Sequence, residues 1–185
     1  MNTRDRVPAA PVDIPGTVLA TWRDCGRVYF WQVRGWVHGT TRSWSKRRLR
    51  AAIRNSLFAA CGLIMSPLLV PVYAVMIASP HSRYYLDVER TAVLAVAATK
   101  RSWLIQDHAS AQPGSGAGKV LREKLLPTIL SAADRHRIPI VLETSVPELE
   151  TAYQRDIPGL HFVEDAHLGR KTYRRDPTPS AGAGE

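Results

Sequence analysis

Between positions 112 and 119 the chain reads Gln-Pro-Gly-Ser-Gly-Ala-Gly-Lys, with glycines at 114, 116 and 118. Glycine has no Cβ, so three in alternation leave backbone N–H groups free to face an anion. From Val120 to about Ile138 the sequence reads as a helix, whose start adds partial positive charge at the same point. The chemistry suggested is the binding of a phosphate or pyrophosphate. Two well-known phosphate motifs are excluded. A nucleotide P-loop needs Gly, four residues, then Gly-Lys-Ser/Thr, and here Gly118-Lys119 is followed by Val120 while Pro113 holds the first glycine's place. The dinucleotide fingerprint needs a different glycine spacing.

These residues must be positioned by a strand before the turn and a helix after it. Thr91 to Thr99 is an apolar strand, Lys100-Arg101-Ser102 a hairpin turn, and Trp103 to Ser110 its partner strand. Leu121, Leu125, Ile129 and Ala132 recur at helical spacing, and Pro127 is expected to kink that helix. Ile140 to Leu142 reads as a short buried strand, Pro147 opens another helix, and Leu160 to Val163 begins a last strand. This alternation predicts an α/β fold with a mixed sheet flanked by helices.

The spacing of Pro113-Gly114-Ser115-Gly116-Ala117-Gly118 resembles the (Arg/Gln)-x-x-Gly-x-Gly turn of the GNAT acyltransferases, with Pro113 where Arg or Gln is usual. Pro139-Ile-Val-Leu-Glu-Thr-Ser145 is similar to that family's Leu-Glu-x-Ser strand, and Ala152 to Leu160 resembles its tyrosine-bearing helix and turn. The resemblance covers roughly Tyr84 to Arg175 and implies binding of acetyl-CoA. It places the backbone of Gly114, Ser115, Gly116, Ala117 and Gly118 on the pyrophosphate, with Lys119 and Arg122 adding charge. The strand ending at His108 to Ser110 would pair with the pantetheine arm. It also implies Tyr153 as the acid that stabilises the departing thiolate, and Asp107, His108 or Glu143 as the base.

The N-terminal half does not resemble that family. Across all 185 residues the net charge is +9, which favours anionic neighbours: lipid head groups, nucleic acid or a polyphosphate ligand. Cys25 and Cys61 lack metal-type spacing, and the six histidines contain no His-x-x-x-His pair. Residues 1–16 read as a flexible, proline-rich arm without a secretory core, and Arg27 to His38 as strand-like. Thr41 to Asn55 reads as a helix with Arg42, Lys46, Arg50 and Arg54 on one basic face. That face suits anionic lipid, or the phosphates of nucleic acid with no base-reading motif.

Leu57 to Ser79 carries no charge and is long enough to cross a bilayer core of about 30 Å. Pro67 and Pro71 divide it into two halves, predicting a re-entrant or interfacial hairpin with both flanks on the cytoplasmic side. The expected organisation is an arm and strand-like segment (1–40), a basic helix with apolar hairpin (41–83), a GNAT-like domain (84–176) and a disordered tail (177–185). The leading functional expectation is a membrane-associated, acetyl-CoA-dependent N-acyltransferase on the cytoplasmic side. The alternative is a catalytically inactive GNAT-like module that binds at a membrane or on nucleic acid.

Overall fold

The structure is a computed structural model, described here for residues 6–45, 49–167 and 170–178. The expected tail lies outside the described residues from 179 onward. So do Lys46 and Arg47, together with the side chains of Arg42, Arg50 and Arg54, so the expected basic face falls outside the description.

Seven strands form one sheet: β1 (Thr17–Leu19), β2 (Ser82–Asp87), β3 (Ala92–Ala98), β4 (Trp103–Ser110), β5 (Ile140–Thr144), β6 (His161–Ala166) and β7 (Arg170–Arg175). Their order across the sheet is β1-β2-β3-β4-β5-β7-β6, antiparallel except where β4 meets β5. Alternating side chains send the sheet's apolar residues to opposite faces. Tyr85, Leu94, Val96, Trp103 and Ile105 pack under α4 (Ala117–Arg135) and α5 (Pro147–Asp156). Tyr84, Leu86, Val93 and Ala95 pack against α1 (Cys25–Ser45) and α3 (Ser66–Ala78). In α4 the predicted stripe of Leu121, Leu125, Ile129 and Ala132 is buried, and the helix runs on through Pro127 at an exposed position.

Three expectations are corrected. The strand-like segment from Arg27 to His38 is part of helix α1. Its β-branched and aromatic content suits a strand, but among its buried side chains Val28 and Trp31 lie three residues apart and Tyr29 and Val33 four, as on one face of a helix. The arm is ordered from residue 6. Ala10 and Ile14 are buried in the α4-side core, Trp103 Nε1 donates to the Pro8 carbonyl at 2.7 Å, and Val7 N donates to Thr99 O at 3.1 Å.

The third correction concerns the apolar run, which is helical as α2 (Leu49–Ile64) and α3, joined through the single residue Met65. The bend falls at Met65 and not between the prolines. Backbone bonds from Met65 N to Cys61 O and from Leu69 N to Met65 O carry the helical ladder across it, so the halves do not form a hairpin. Pro67 sits in the first turn of α3, where a missing N–H costs nothing. Both helices pack against α1. The other side of the run stays open: Leu57, Leu63, Ile64, Leu68, Val72 and Val75 are all exposed. Over Ala59–Ala78 the mean hydropathy is 2.1 and only 11% of the most apolar window is buried, so this is not a core helix.

Candidate functional site

Strands β4 and β5 pair only from Trp103–Ile140 to Ile105–Leu142. Beyond that point β4 continues to Ser110 with its β5 edge unpaired among the described residues, opening a wedge whose wall presents backbone N–H and C=O groups. A bulge shapes this stretch. Between Val93↔Ala109 and Ala95↔Gln106, two residues of β4 oppose one of β3, and Asp107 takes a φ of 50°. The extra residue inverts the alternation of side chains. Trp103 and Ile105 face the α4 side before the bulge, while Ala109 faces the α1 side after it. The inversion puts Asp107 on the α1 side and His108 on the α4 side.

On the α4 side, His108 Nε2 lies 2.9 Å from the Gly118 carbonyl and Nδ1 lies 3.1 Å from the Tyr153 hydroxyl. A carbonyl only accepts, so Nε2 carries the proton and Tyr153 donates to Nδ1. Burial holds the imidazole neutral, pushing its pKa down to about 4. Burial also raises that of the Tyr153 hydroxyl. The Arg122 guanidinium stacks 5.2 Å from the Tyr153 ring centroid, and its Nε donates to Asp156 at 2.7 Å. Its side chain is 3% exposed. The charge expected near the phosphates is therefore committed to the packing of Tyr153.

On the other side, the Asp107 carboxylate accepts from Tyr84 at 2.6 Å and from Tyr73 of α3 at 3.4 Å. Burial pushes this carboxyl up, against the two hydroxyls that hold it down. Glu143 stands on β5 and pairs with Arg170 of β7 at 3.2 Å. Ser110 Oγ donates to the Gln112 carbonyl at 3.1 Å, fixing the start of the turn.

In the turn itself Gly114 and Gly116 have φ of 90° and 89°, a left-handed region that glycine adopts without strain. A Cβ on Gly116 would meet nothing within 4 Å, so the space above the turn is open. The amides of Gly116, Gly118 and Lys119 find no backbone acceptor among the described residues, as the first turn of a helix leaves them. Ala117 N makes only a long 3.4 Å contact with Ser115 Oγ. Gly118 is required for another reason: a Cβ there would come within 2.7 Å of His108 Nε2. Lys119 is exposed and 3.7 Å from Glu123. Two groups that sequence reasoning missed come from α1: Arg34, which donates to Ala111 O at 2.7 Å, and His38, whose ring faces Gly114. Nothing in the local sequence links them to the turn; packing of α1 against β4 brings them there.

The comparisons with known proteins agree with this architecture. No protein-family model matches the sequence, and no curated protein matches it. Among solved structures, the chain is similar to an acetyltransferase from Thermus thermophilus, with a TM-score of 0.54 at 15% identity, over 88% of this chain and 98% of that one. A GNAT-family acetyltransferase from Listeria monocytogenes gives a TM-score of 0.46 at 12% identity, over 92% and 99% of the two chains. A Bacillus subtilis acetyltransferase in complex with CoA gives 0.41 at 18% identity, over 56% and 82%. The chain has a GNAT-like fold. The Thermus likeness spans most of the chain, beyond the C-terminal half from which the sequence suggested it.

Proposed function

We propose that this chain transfers the acyl group of an acyl-CoA, specifically acetyl-CoA, to an amine, and does so on the cytoplasmic side of a membrane. The observation that carries the reading is the wedge between β4 and β5. It has unpaired amides at the glycine turn on one end and the Tyr153–His108 pair beside it. In this reading Gly114, Gly116 and Gly118 offer backbone N–H groups to the pyrophosphate, with Lys119 and Arg34 adding positive charge and the His38 ring beside Gly114. The free edge of β4 pairs with the pantetheine amides, as strands recruit extended ligands. The amine nitrogen bonds to the thioester carbon as the C–S bond breaks. Of the two protons the ammonium form must lose, one ends on sulfur and the other leaves to water. Tyr153 supplies the proton that the thiolate takes, and His108, which accepts from Tyr153 at rest, orients that hydroxyl.

Membrane attachment is supported by the exposed apolar face of α2 and α3 next to the arginine- and lysine-rich segment 42–54. The cytoplasmic side is where an acyl-CoA would be supplied. The test is calorimetry of acetyl-CoA with the wild type and with Gly116→Val, together with thiol release by the wild type and by Tyr153→Phe. Gly116→Val puts a β-branched residue at φ 89° and a Cβ in the phosphate's approach. Losing two charge-assisted bonds weakens binding by about two to four orders of magnitude. Tyr153→Phe retains binding and loses turnover. Absence of binding by the wild type overturns the reading. A second reading, a binding module without turnover, is favoured by the burial of Tyr153 and the commitment of its hydroxyl to His108. Binding without thiol release across an amine panel supports it.

A further inference from the structure

Helix α3 connects the open apolar surface to the bulge in β4. Its inner side carries Tyr73, which donates to Asp107 and meets the Tyr29 ring edge-on at 5.5 Å between centroids. Its outer side exposes Leu68, Val72 and Val75, spaced by four and three residues so that they make one stripe. Val72 and Tyr73 are adjacent, about 100° apart around the helix. Through Tyr73, the half-buried carboxylate of β4 thus meets the same helix whose outer side is exposed hydrocarbon.

We propose that the acyl acceptor is the primary amine of a membrane amphiphile, presented to Asp107 while its hydrocarbon lies in the bilayer against α3. This deepens the acyltransferase reading and rests on it. Three observations single out this occupant. An alkylammonium is the ligand that a carboxylate already holding two hydroxyl donors can still attract, since charge is what those donors lack. Asp107 is the carboxylate placed for it, because Glu143 pairs with Arg170 and Asp156 with Arg122. The exposed hydrocarbon lies along α2 and α3, the latter being the helix that carries Tyr73 to that carboxylate, and none of the described residues covers it.

In the reaction Asp107 pairs with the ammonium and takes one of its protons, releasing it to water. The freed nitrogen attacks the thioester carbon, the C–S bond breaks, and the second nitrogen proton ends on sulfur. Asp107 and Tyr153 act from opposite faces of β4, since the bulge turns Asp107 away from the α4 side where Trp103 and Ile105 lie.

The experiment measures thiol release from acetyl-CoA by the full-length protein with ethylamine, butylamine, hexylamine and octylamine, and with dodecylamine in phosphatidylcholine vesicles. Acetyl-CoA binding is measured separately by calorimetry. The expected result is a kcat/KM that rises with chain length, by up to about fourfold per methylene where the chain is fully buried. It is highest for the vesicle-borne amine. Val72→Asp with Val75→Asp, both at exposed positions, flattens that rise. Asp107→Asn lowers turnover at least about a hundredfold with every amine. Because Asp107→Asn alters a buried group, its thermal melt is compared with wild type, and the chain-length series on the wild-type protein stands independently of it. Turnover with no dependence on chain length overturns the amphiphile proposal and leaves the acyltransferase reading standing. Binding of acetyl-CoA without turnover on any of these amines also overturns it. Absence of acetyl-CoA binding removes both.

Discussion

On the α4 side of β4, His108, Tyr153, Arg122 and Asp156 hold one another in a closed chain of contacts that also takes in the Gly118 carbonyl. On the α1 side, across the same strand, Asp107 is held by Tyr84 and Tyr73, and the helix that supplies Tyr73 has an outer side of exposed hydrocarbon. One side is completed by the protein itself, while on the other the proposed occupant is a membrane amphiphile. The contrast separates two kinds of sensitivity: substitutions on the closed side should be felt as stability, and those on the open side as binding.

The largest expected effect is on the closed side. Arg122→Leu leaves Asp156 with only the exposed Arg155 and removes the cation from the Tyr153 ring. Breaking one partner of a buried ion pair costs about 3–5 kcal/mol. Chemical denaturation of the variant measures this. Recovery of much of the loss in Arg122→Leu with Asp156→Leu would show that the stranded carboxylate carries the cost, whereas a loss under about 1 kcal/mol would erase the contrast between the two sides.

An effect of similar size follows from pH. Tyr153, Arg122 and the Gly118 carbonyl surround the neutral His108 ring, whose pKa is lowered from 6.5 to about 4. Between those values the unfolded chain binds a proton that the folded chain refuses, so the stability it contributes is full above pH 6.5 and is lost as pH falls toward 4. At 1.36 kcal/mol per unit the loss is about 3 kcal/mol. Asp107 acts in the opposite sense, since burial raises its carboxyl and favours the protonated fold as pH falls. The difference between wild type and His108→Gln therefore isolates the histidine. An equal slope in both proteins would contradict the tautomer and the burial assigned to it.

The smallest effect on stability belongs to the open side. Leu57→Ser with Ile64→Ser alters side chains that are 63% and 76% exposed, so denaturation midpoints should shift by within about 0.5 kcal/mol per site. The same variant should lose several-fold in cosedimentation with anionic vesicles. A destabilisation above about 2 kcal/mol would mean that the chain itself covers these residues, since that is the scale of burying such a side chain.

Much of the closed side was legible in the sequence. The β3–β4 hairpin was marked by an apolar run, a polar turn and a second run, and the α4 stripe by its spacing from Leu121 to Ala132. The glycine turn declared its backbone freedom directly. The open side was harder to read, for physical reasons. Helix α1 is rich in residues that favour strands, and Tyr29, Trp31 and Val33 alternate as a strand would, so the segment reads as strand-like although it folds as a helix. The bulge at Asp107 has no local signature beyond a residue that tolerates a left-handed backbone. Tyr73 and Tyr84 meet Asp107 through tertiary packing across 34 and 23 residues. Arg122 was legible as a cation on a first helical turn, but which way it turned depended on Asp156, far along the chain.

The arm that lies across the α4-side core has a consequence for the order in which the molecule is assembled. Residues Val7 to Ile14 leave the ribosome before their partners Tyr85, Thr99 and Trp103, which follow up to 95 residues later. The Tyr85 hydroxyl reaches the Pro11 carbonyl at 2.5 Å only once β2 is in place, and Pro8 meets the Trp103 indole only once β4 is. Closing loops of this length precedes any reward from the contacts they bring, which slows the step. The segment thus waits for β4 before it docks, and until then the nascent chain carries Ala10 and Ile14 uncovered.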